Sequence, residues 1–266
     1  MLKSPRPATW RRRYIFATVL GLALALFALP IVFELQTDRV SAQVSQSKVP
    51  PGDFERRIRD YLLNNPEVIV EAMQRYEARQ RADQAKAARK LIVARADELL
   101  RDSATPVAGN PDGDVSLVEF FDYNCPYCRR VSPDMMKLEA SDPKLRIVYK
   151  EFPILGPNST FAAKAALAAH RQGKYVELHR ALMKGRGTVT KESILRTAKK
   201  LGLDTKQLEK DMEDPEIDTA LKRNIALANA LGINGTPAFV IGKEIVPGAI
   251  DFKALQQLVA KARRKE

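Results

Sequence analysis

Cysteine is almost missing from this chain: its 266 residues contain two, Cys125 and Cys128. With no third thiol to staple to, the pair cannot belong to a structural disulfide framework, and its chemistry must involve a second molecule. Histidine is equally scarce. His170 and His179, nine apart and far from the cysteines, make a poor completion of a zinc half-site. The formal charge is +12, yet no basic stripe interleaved with aromatic residues runs through the sequence, so nucleic acid is not an expected partner. The surplus reads as a solvated surface with some preference for acidic clients. No internal repeat is visible.

What is present is a Cys-x-x-Cys unit, Cys125-Pro126-Tyr127-Cys128, just after the apolar run Val115-Ser116-Leu117-Val118-Glu119-Phe120-Phe121. At a strand-to-helix junction this unit suits thiol–disulfide exchange. A helix N-terminus aims unpaired backbone N–H groups and the positive end of the dipole at the Cys125 sulfur, which lowers its pKa from the usual value of about 8.5. Pro126 fits the first helical turn, where its missing N–H costs nothing. The expected division of labour is an exposed Cys125 that attacks and a buried Cys128 that resolves. Tyr127 lacks the cationic donor that a histidine would bring, which predicts a less oxidising couple than the strongest dithiol oxidants. No cofactor is expected. No dedicated metal site is expected either, although Cys125 and Cys128 could together hold Cu(I) without further ligands.

Residues 1–42 read as a signal peptide or membrane anchor. Lys3, Arg6 and Arg11-Arg12-Arg13 precede an apolar run from Tyr14 to Phe33, long enough to span a bilayer. Val40-Ser41-Ala42 offers a small-residue cleavage site, and cleavage is favoured over retention. Either outcome places the dithiol outside the cytoplasm, in an oxidising space where disulfides form and persist.

Residues 43–104 form a linker followed by a helical oligomerisation or stalk segment. A short helix over 53–63 ends before Asn65-Pro66, an N-cap and N1 proline that start a second helix. That helix is expected to run to about residue 102. Ala78, Ala82, Ala85, Ala88, Ile92, Ala96 and Leu99 recur along it in steps averaging 3.5, the period of a coiled-coil seam. Pairing with copies of itself is favoured over a helix lying on its own domain. Residues 103–113 are turn-rich and mark a boundary, so the next domain is expected near Asp114. There the pattern predicts a strand over 115–122, a helix over 125–140 kinked at Pro133, and a strand over 145–152. A helical block then fills about 159–231, followed by strands over 238–241 and 244–246 and a last helix over 251–263. The order describes an α/β domain interrupted by a helical insert.

Two further positions carry chemistry. Period-two alternation places Glu119 among Val115, Leu117 and Phe121 on one strand face. Burial there would raise its pKa and fit it to accept the Cys128 proton; the competing reading is an edge-strand carboxylate turned to solvent. Lys150, on the neighbouring strand, is a candidate partner for it. Gly235-Thr236-Pro237 leads into a strand through turn residues, where a cis peptide bond is plausible.

Three motifs in order, Phe120-Phe121-Asp122-Tyr123-Asn124-Cys125-Pro126-Tyr127-Cys128, Glu151-Phe152-Pro153-Ile154-Leu155-Gly156 and Gly235-Thr236-Pro237-Ala238-Phe239, resemble the DsbA-type branch of the thioredoxin superfamily over residues 112–266. The resemblance implies a thioredoxin fold with a helical insertion, a cis Thr236-Pro237 bond beside Cys125, and Glu119 as a buried acid. The helical prefix from Asp53, with Asn65-Pro66-Glu67-Val68-Ile69, is similar to the oligomerising segment of ScsC-like (suppressor of copper sensitivity) proteins, some of which are trimeric disulfide isomerases. Pro126-Tyr127 between the cysteines, and threonine before the proline, are habits of isomerase and reductase branches. The resemblance therefore implies an exported disulfide isomerase or reductase acting on misoxidised envelope proteins. It would be kept reduced by a membrane redox partner and assemble as a homo-oligomer, a trimer ahead of a dimer. A dithiol oxidase that donates disulfides to exported chains, or a Cu(I)-binding copper-tolerance protein, are the alternatives.

Overall fold

The computed structural model describes residues 52–264; the leader over residues 1–42 and the linker up to residue 51 lie outside them. Contacts divide the chain into Met1–Arg57 and Ile58–Glu266. Of the first unit only the opening of helix α1 (Asp53–Asn64) is described, where Asp53 pairs with Arg56 and, at 3.1 Å, with Arg57. All that follows concerns the second unit.

The expected cap at Asn65 does not form. Its Nδ2 instead donates to Tyr61 O at 2.8 Å, satisfying a carbonyl at the end of α1, and Pro66 takes the cap position of helix α2 (Glu67–Ala94) with no side-chain hydrogen bond. The helix expected to reach residue 102 is interrupted at Arg95 (φ −111°, ψ 24°) and resumes as α3 (Ala96–Leu100). The alanine-rich seam divides accordingly. Ala78, Ala82 and Ala85 are exposed, whereas Ile92 and Leu99 are buried with Val118, Phe120, Val148 and Leu227. The end of the prefix thus lies on its own domain, while the turns before it keep an open face.

Five strands form one mixed sheet in the order β1-β3-β2-β4-β5: β1 (Val107–Gly109), β2 (Val115–Phe121), β3 (Leu145–Glu151), β4 (Ala238–Ile241) and β5 (Glu244–Pro247). Strands β2 and β3 are parallel, joined through helix α4 (Pro126–Ser141), and the other pairings are antiparallel. Strand β1 falls inside the stretch expected to be a boundary of turns. It pairs with β3, Val107 opposite Val148, so the sheet reaches back past Asp114. Gly109 ends it at φ +72°, where a Cβ would stand 2.5 Å from Leu145 O.

Helices cover both faces. Alternation along β2 sends Val115, Leu117 and Phe121 into one apolar cluster with α4 and helix α10 (Phe252–Arg263), and Val118 and Phe120 into another with α3 and helix α9 (Pro215–Ala230). Helix α4 runs through Pro133 to Ser141 as one element. The helical insert comprises α5 (Pro157–Arg171), α6 (Tyr175–Lys184), α7 (Lys191–Lys200), α8 (Thr205–Met212) and α9. Its centre is α5, whose alanines 162, 163, 165, 166, 168 and 169 are buried and let neighbouring helices approach closely. No described helix is long and apolar enough to cross a membrane.

Leu99 is 1% exposed and fastens the prefix to the sheet. Leu99→Ala is expected to lower stability by about 2–5 kcal/mol in urea denaturation; an unchanged midpoint would mean that α3 is not part of the core.

Candidate active site

Strand β2 delivers the chain to the site through Asp122-Tyr123-Asn124. The Asp122 carboxylate is the brace: Oδ1 accepts from Asn124 N at 2.7 Å, and Oδ2 accepts from Ile154 N and Leu155 N at 2.9 Å each. The Cys125 N–H donates to Asp122 O at 3.1 Å. Asn124 reaches the insert, accepting from Val189 N at 2.7 Å and donating to Ser159 Oγ at 3.1 Å. Arg129 donates to Tyr123 O at 2.8 Å and to Gly187 O. The segment before the cysteines is therefore fixed from three directions.

Cys125 is the N-cap of α4, with extended backbone (φ −76°, ψ 118°), and Pro126 is the first helical residue. Thr236-Pro237 is cis, and the Cys125 thiol donates to Thr236 O at 3.1 Å. The Cys125 thiol is pulled down to about 5. The Cys128 hydrogen bond is the largest cause. Partial burial opposes the shift, while the Thr236 side chain and the N–H groups of Cys128 and Tyr127 add to it. Ionisation gives up the bond to the Thr236 carbonyl and gains donors aimed at the sulfur. Cys128, fully buried, is pushed far up by its burial, by the same bond to Cys125 and by the charge of Glu119. One correction applies: Cys125, expected to be exposed, is only 4% exposed, because the loop at Thr236 lies against its sulfur. Pro126 and Tyr127 are the open members of the unit; Tyr127 is 52% exposed, with the Arg130 guanidinium 5.0 Å from its ring centroid.

Glu119 is 2% exposed. It sits mid-strand on β2, the centre of the sheet, opposite Tyr149 of β3 and Phe239 of β4, which excludes the edge-strand reading. Burial first, then the charge of Cys125, raises its carboxyl to about 8. Lys150 is not its partner. In register with Phe120, it occupies the other face and donates to Glu98 O at 2.7 Å and Thr105 Oγ1 at 2.6 Å. Gly235 precedes the cis bond, and the loop is tied down by Gly248 N donating to Pro237 O at 2.8 Å.

A buried polar cluster adjoins the site that sequence reasoning did not find. Glu151 Oε1 accepts from Tyr175 Oη at 2.7 Å and Tyr123 Oη at 3.0 Å, and His179 Nδ1 lies 3.2 Å from Tyr123 Oη. Burial pushes the Glu151 carboxyl well above its usual range and His179 down to about 3, so the imidazole is neutral near pH 7. His179 is thus part of the hydrogen-bonded core. Among the described residues no cluster of three or more His, Cys, Asp or Glu side chains could hold a metal ion.

The raised Glu119 pKa has a stability consequence. Between the unfolded value of about 4.3 and the folded value of about 8, the native state holds a proton that the unfolded chain releases, so stability falls as pH rises through that window. Glu119→Gln removes this fall. In urea denaturation of the reduced protein, the variant should gain on the parent by a few kcal/mol between pH 5 and pH 8; parallel profiles would mean that the carboxyl ionises as if exposed.

Two family models match the sequence: DSBA-like thioredoxin domain over residues 116–260, and Copper resistance protein ScsC N-terminal domain over residues 53–83. Among solved structures, a thioredoxin-like oxidoreductase from Silicibacter pomeroyi is 51% identical, with 63% of this chain and 97% of that one covered and a TM-score of 0.62. A linker-deletion mutant of Proteus mirabilis ScsC is 30% identical, with 85% and 100% covered and a TM-score of 0.64. Among curated proteins, Na(+)/H(+) antiporter NhaA 3 of Salinispora tropica is 28% identical over 158 residues, 59% of this chain. The chain spans about a quarter of the length of that antiporter (24%). The first family model takes in β2, the dithiol, the insert and the cis-proline loop, more than half of the sequence: the chain belongs to the DSBA-like thioredoxin domain family.

Proposed function

We propose that this protein is an exported thiol:disulfide interchange enzyme that isomerises misoxidised envelope proteins through Cys125 and Cys128. The observation that carries the reading is the asymmetric sulfur pair: a Cys125 thiol drawn down to about 5 by a buried Cys128 that stays protonated. The Cys125 thiolate attacks a wrong client disulfide. A Cys125–client bond forms, the client S–S bond breaks, and the released client sulfur leaves as a thiolate. If that thiolate, or another in the client, attacks the mixed disulfide, the client is rearranged with no net change in oxidation. If Cys128 attacks instead, a Cys125–Cys128 disulfide forms, the client is reduced by two electrons, and a membrane dithiol donor must restore the enzyme. Glu119, behind the pair, is the group suited to take the Cys128 proton in that second step. Thr236 and Pro237 are placed to border the client backbone.

The prefix supports an oligomer. Tyr61, Leu63, Ile69, Val70, Met73 and Tyr76 are 44–65% exposed on α1 and α2, a face that copies of the chain would cover. Several dithiols around one space suit misfolded clients, and a trimer is the assembly we favour. The oxidase reading has one observation in its favour: a low Cys125 pKa stabilises the reduced form, which makes the disulfide a better oxidant. The match of the prefix to a copper-resistance domain keeps a Cu(I)-holding dithiol as a minor third reading.

The full chain is expected to unscramble a disulfide-scrambled protein faster than it oxidises a reduced peptide. Met73→Asp, which puts a charge on the open face, should dissociate the oligomer and cut unscrambling roughly tenfold or more while exchange with a small disulfide persists. Fast peptide oxidation with no unscrambling would place the protein among the oxidases.

A further inference from the structure

A groove of about 1400 Å³ opens beside the dithiol. Tyr127, Thr236 and Pro237 stand along it, and so does α2 between Arg81 and Leu91. Its volume exceeds the roughly 300–1,000 Å³ of ordinary small-molecule sites and suits an extended polypeptide. Its charge is one-sided. Five cations, Arg81, Arg89, Arg130, Lys243 and Lys261, line it against a single carboxylate, Glu244. Glu244 pairs with Lys261 at 2.7 Å, and Arg81 pairs with Glu77 at 2.8 Å. Arg89, Arg130 and Lys243 are exposed and have no ion pair among the described residues. Arg130, laid over Tyr127, fixes one of these charges two residues from Cys128.

We propose that this groove is the client site and that it selects acidic polypeptide segments next to the disulfide to be exchanged. The proposal rests on the thiol-exchange reading and adds the class of client. Unpaired cations at the mouth of a reactive thiol steer anionic segments toward it and raise their rate of encounter. With client carboxylates against Arg89, Arg130 and Lys243, one sulfur of the client disulfide meets Cys125. The Cys125–client bond forms as the client S–S bond breaks, and the departing thiolate takes a proton from solvent. Because α2 supplies part of the lining, the helical prefix takes part in client choice.

The test is the rate at which the reduced full chain exchanges with three disulfides: a peptide pair flanked by glutamates, the same pair flanked by lysines, and neutral hydroxyethyl disulfide. The acidic pair should react roughly tenfold or more faster than the basic pair at low salt, with the ratio narrowing as salt rises. Within the double variant Arg89→Glu, Lys243→Glu the acidic-to-basic ratio should invert, and with glutamine at both positions it should fall toward one; each ratio is internal to its variant and survives partial loss of folded protein. Equal acidic and basic rates in the parent, with neutral exchange intact, overturn the groove alone. Failure with the neutral disulfide overturns the thiol-exchange reading, and the groove with it.

Discussion

Two sulfurs joined by a hydrogen bond at the start of one helix set the terms for everything else in this protein. The bond is unequal by construction. Cys125 caps α4 and meets the backbone N–H groups of Tyr127 and Cys128, so its negative charge is welcome. Cys128 is one turn inside, fully buried and close to Glu119, so a charge on it is opposed twice. One thiol is therefore an anion and a good leaving group near neutrality, while the other remains a proton donor to it.

Holding that pair in place occupies much of the fold. The central strand β2 brings both the sulfurs and the buried carboxyl of Glu119, and the three backbone N–H groups on Asp122 lock the connection to α4. Strand β4 begins directly after the cis-proline loop, which pins Thr236 against Cys125. The insert contributes through Asn124 and Arg129, and the prefix closes the opposite face of the sheet with Ile92 and Leu99. Charge outside the pair bears on the same point, since Arg89, Arg130 and Lys243, exposed and without an ion pair among the described residues, line the groove beside Tyr127.

Much of this was legible in the sequence because it is local. Strand β2, the start of α4 at Cys125-Pro126 and the helical block over about 159–231 follow from periodicity and turn residues within short windows. Glu119 was legible as a polar residue on an apolar face, although only the strand order excludes the edge reading. What could not be read depends on long-range pairing. Strand β1 has three residues and no pattern of its own; its partner is β3, some forty positions on. Lys150 lies one residue from the register that would face Glu119, and that single step sends it to the other side of the sheet. Glu151, Tyr123, Tyr175 and His179 meet across 24 to 56 positions and carry no spacing signal. The burial of Cys125 depends on Thr236, 111 residues away. Helix interruption at Arg95 shows local propensity yielding to docking on the sheet, whereas at Asn65 one local hydrogen bond, to Tyr61 O, replaces another.

The central claim is that one thiol, and one only, ionises far below the ordinary range. Ultraviolet thiolate absorbance of the reduced wild-type protein, followed against pH, measures it most directly. A single transition near pH 5 with the amplitude of one thiolate, and no second transition through neutrality, is the predicted result. Two comparable transitions, or one near the free-cysteine value of about 8.5, would contradict the account.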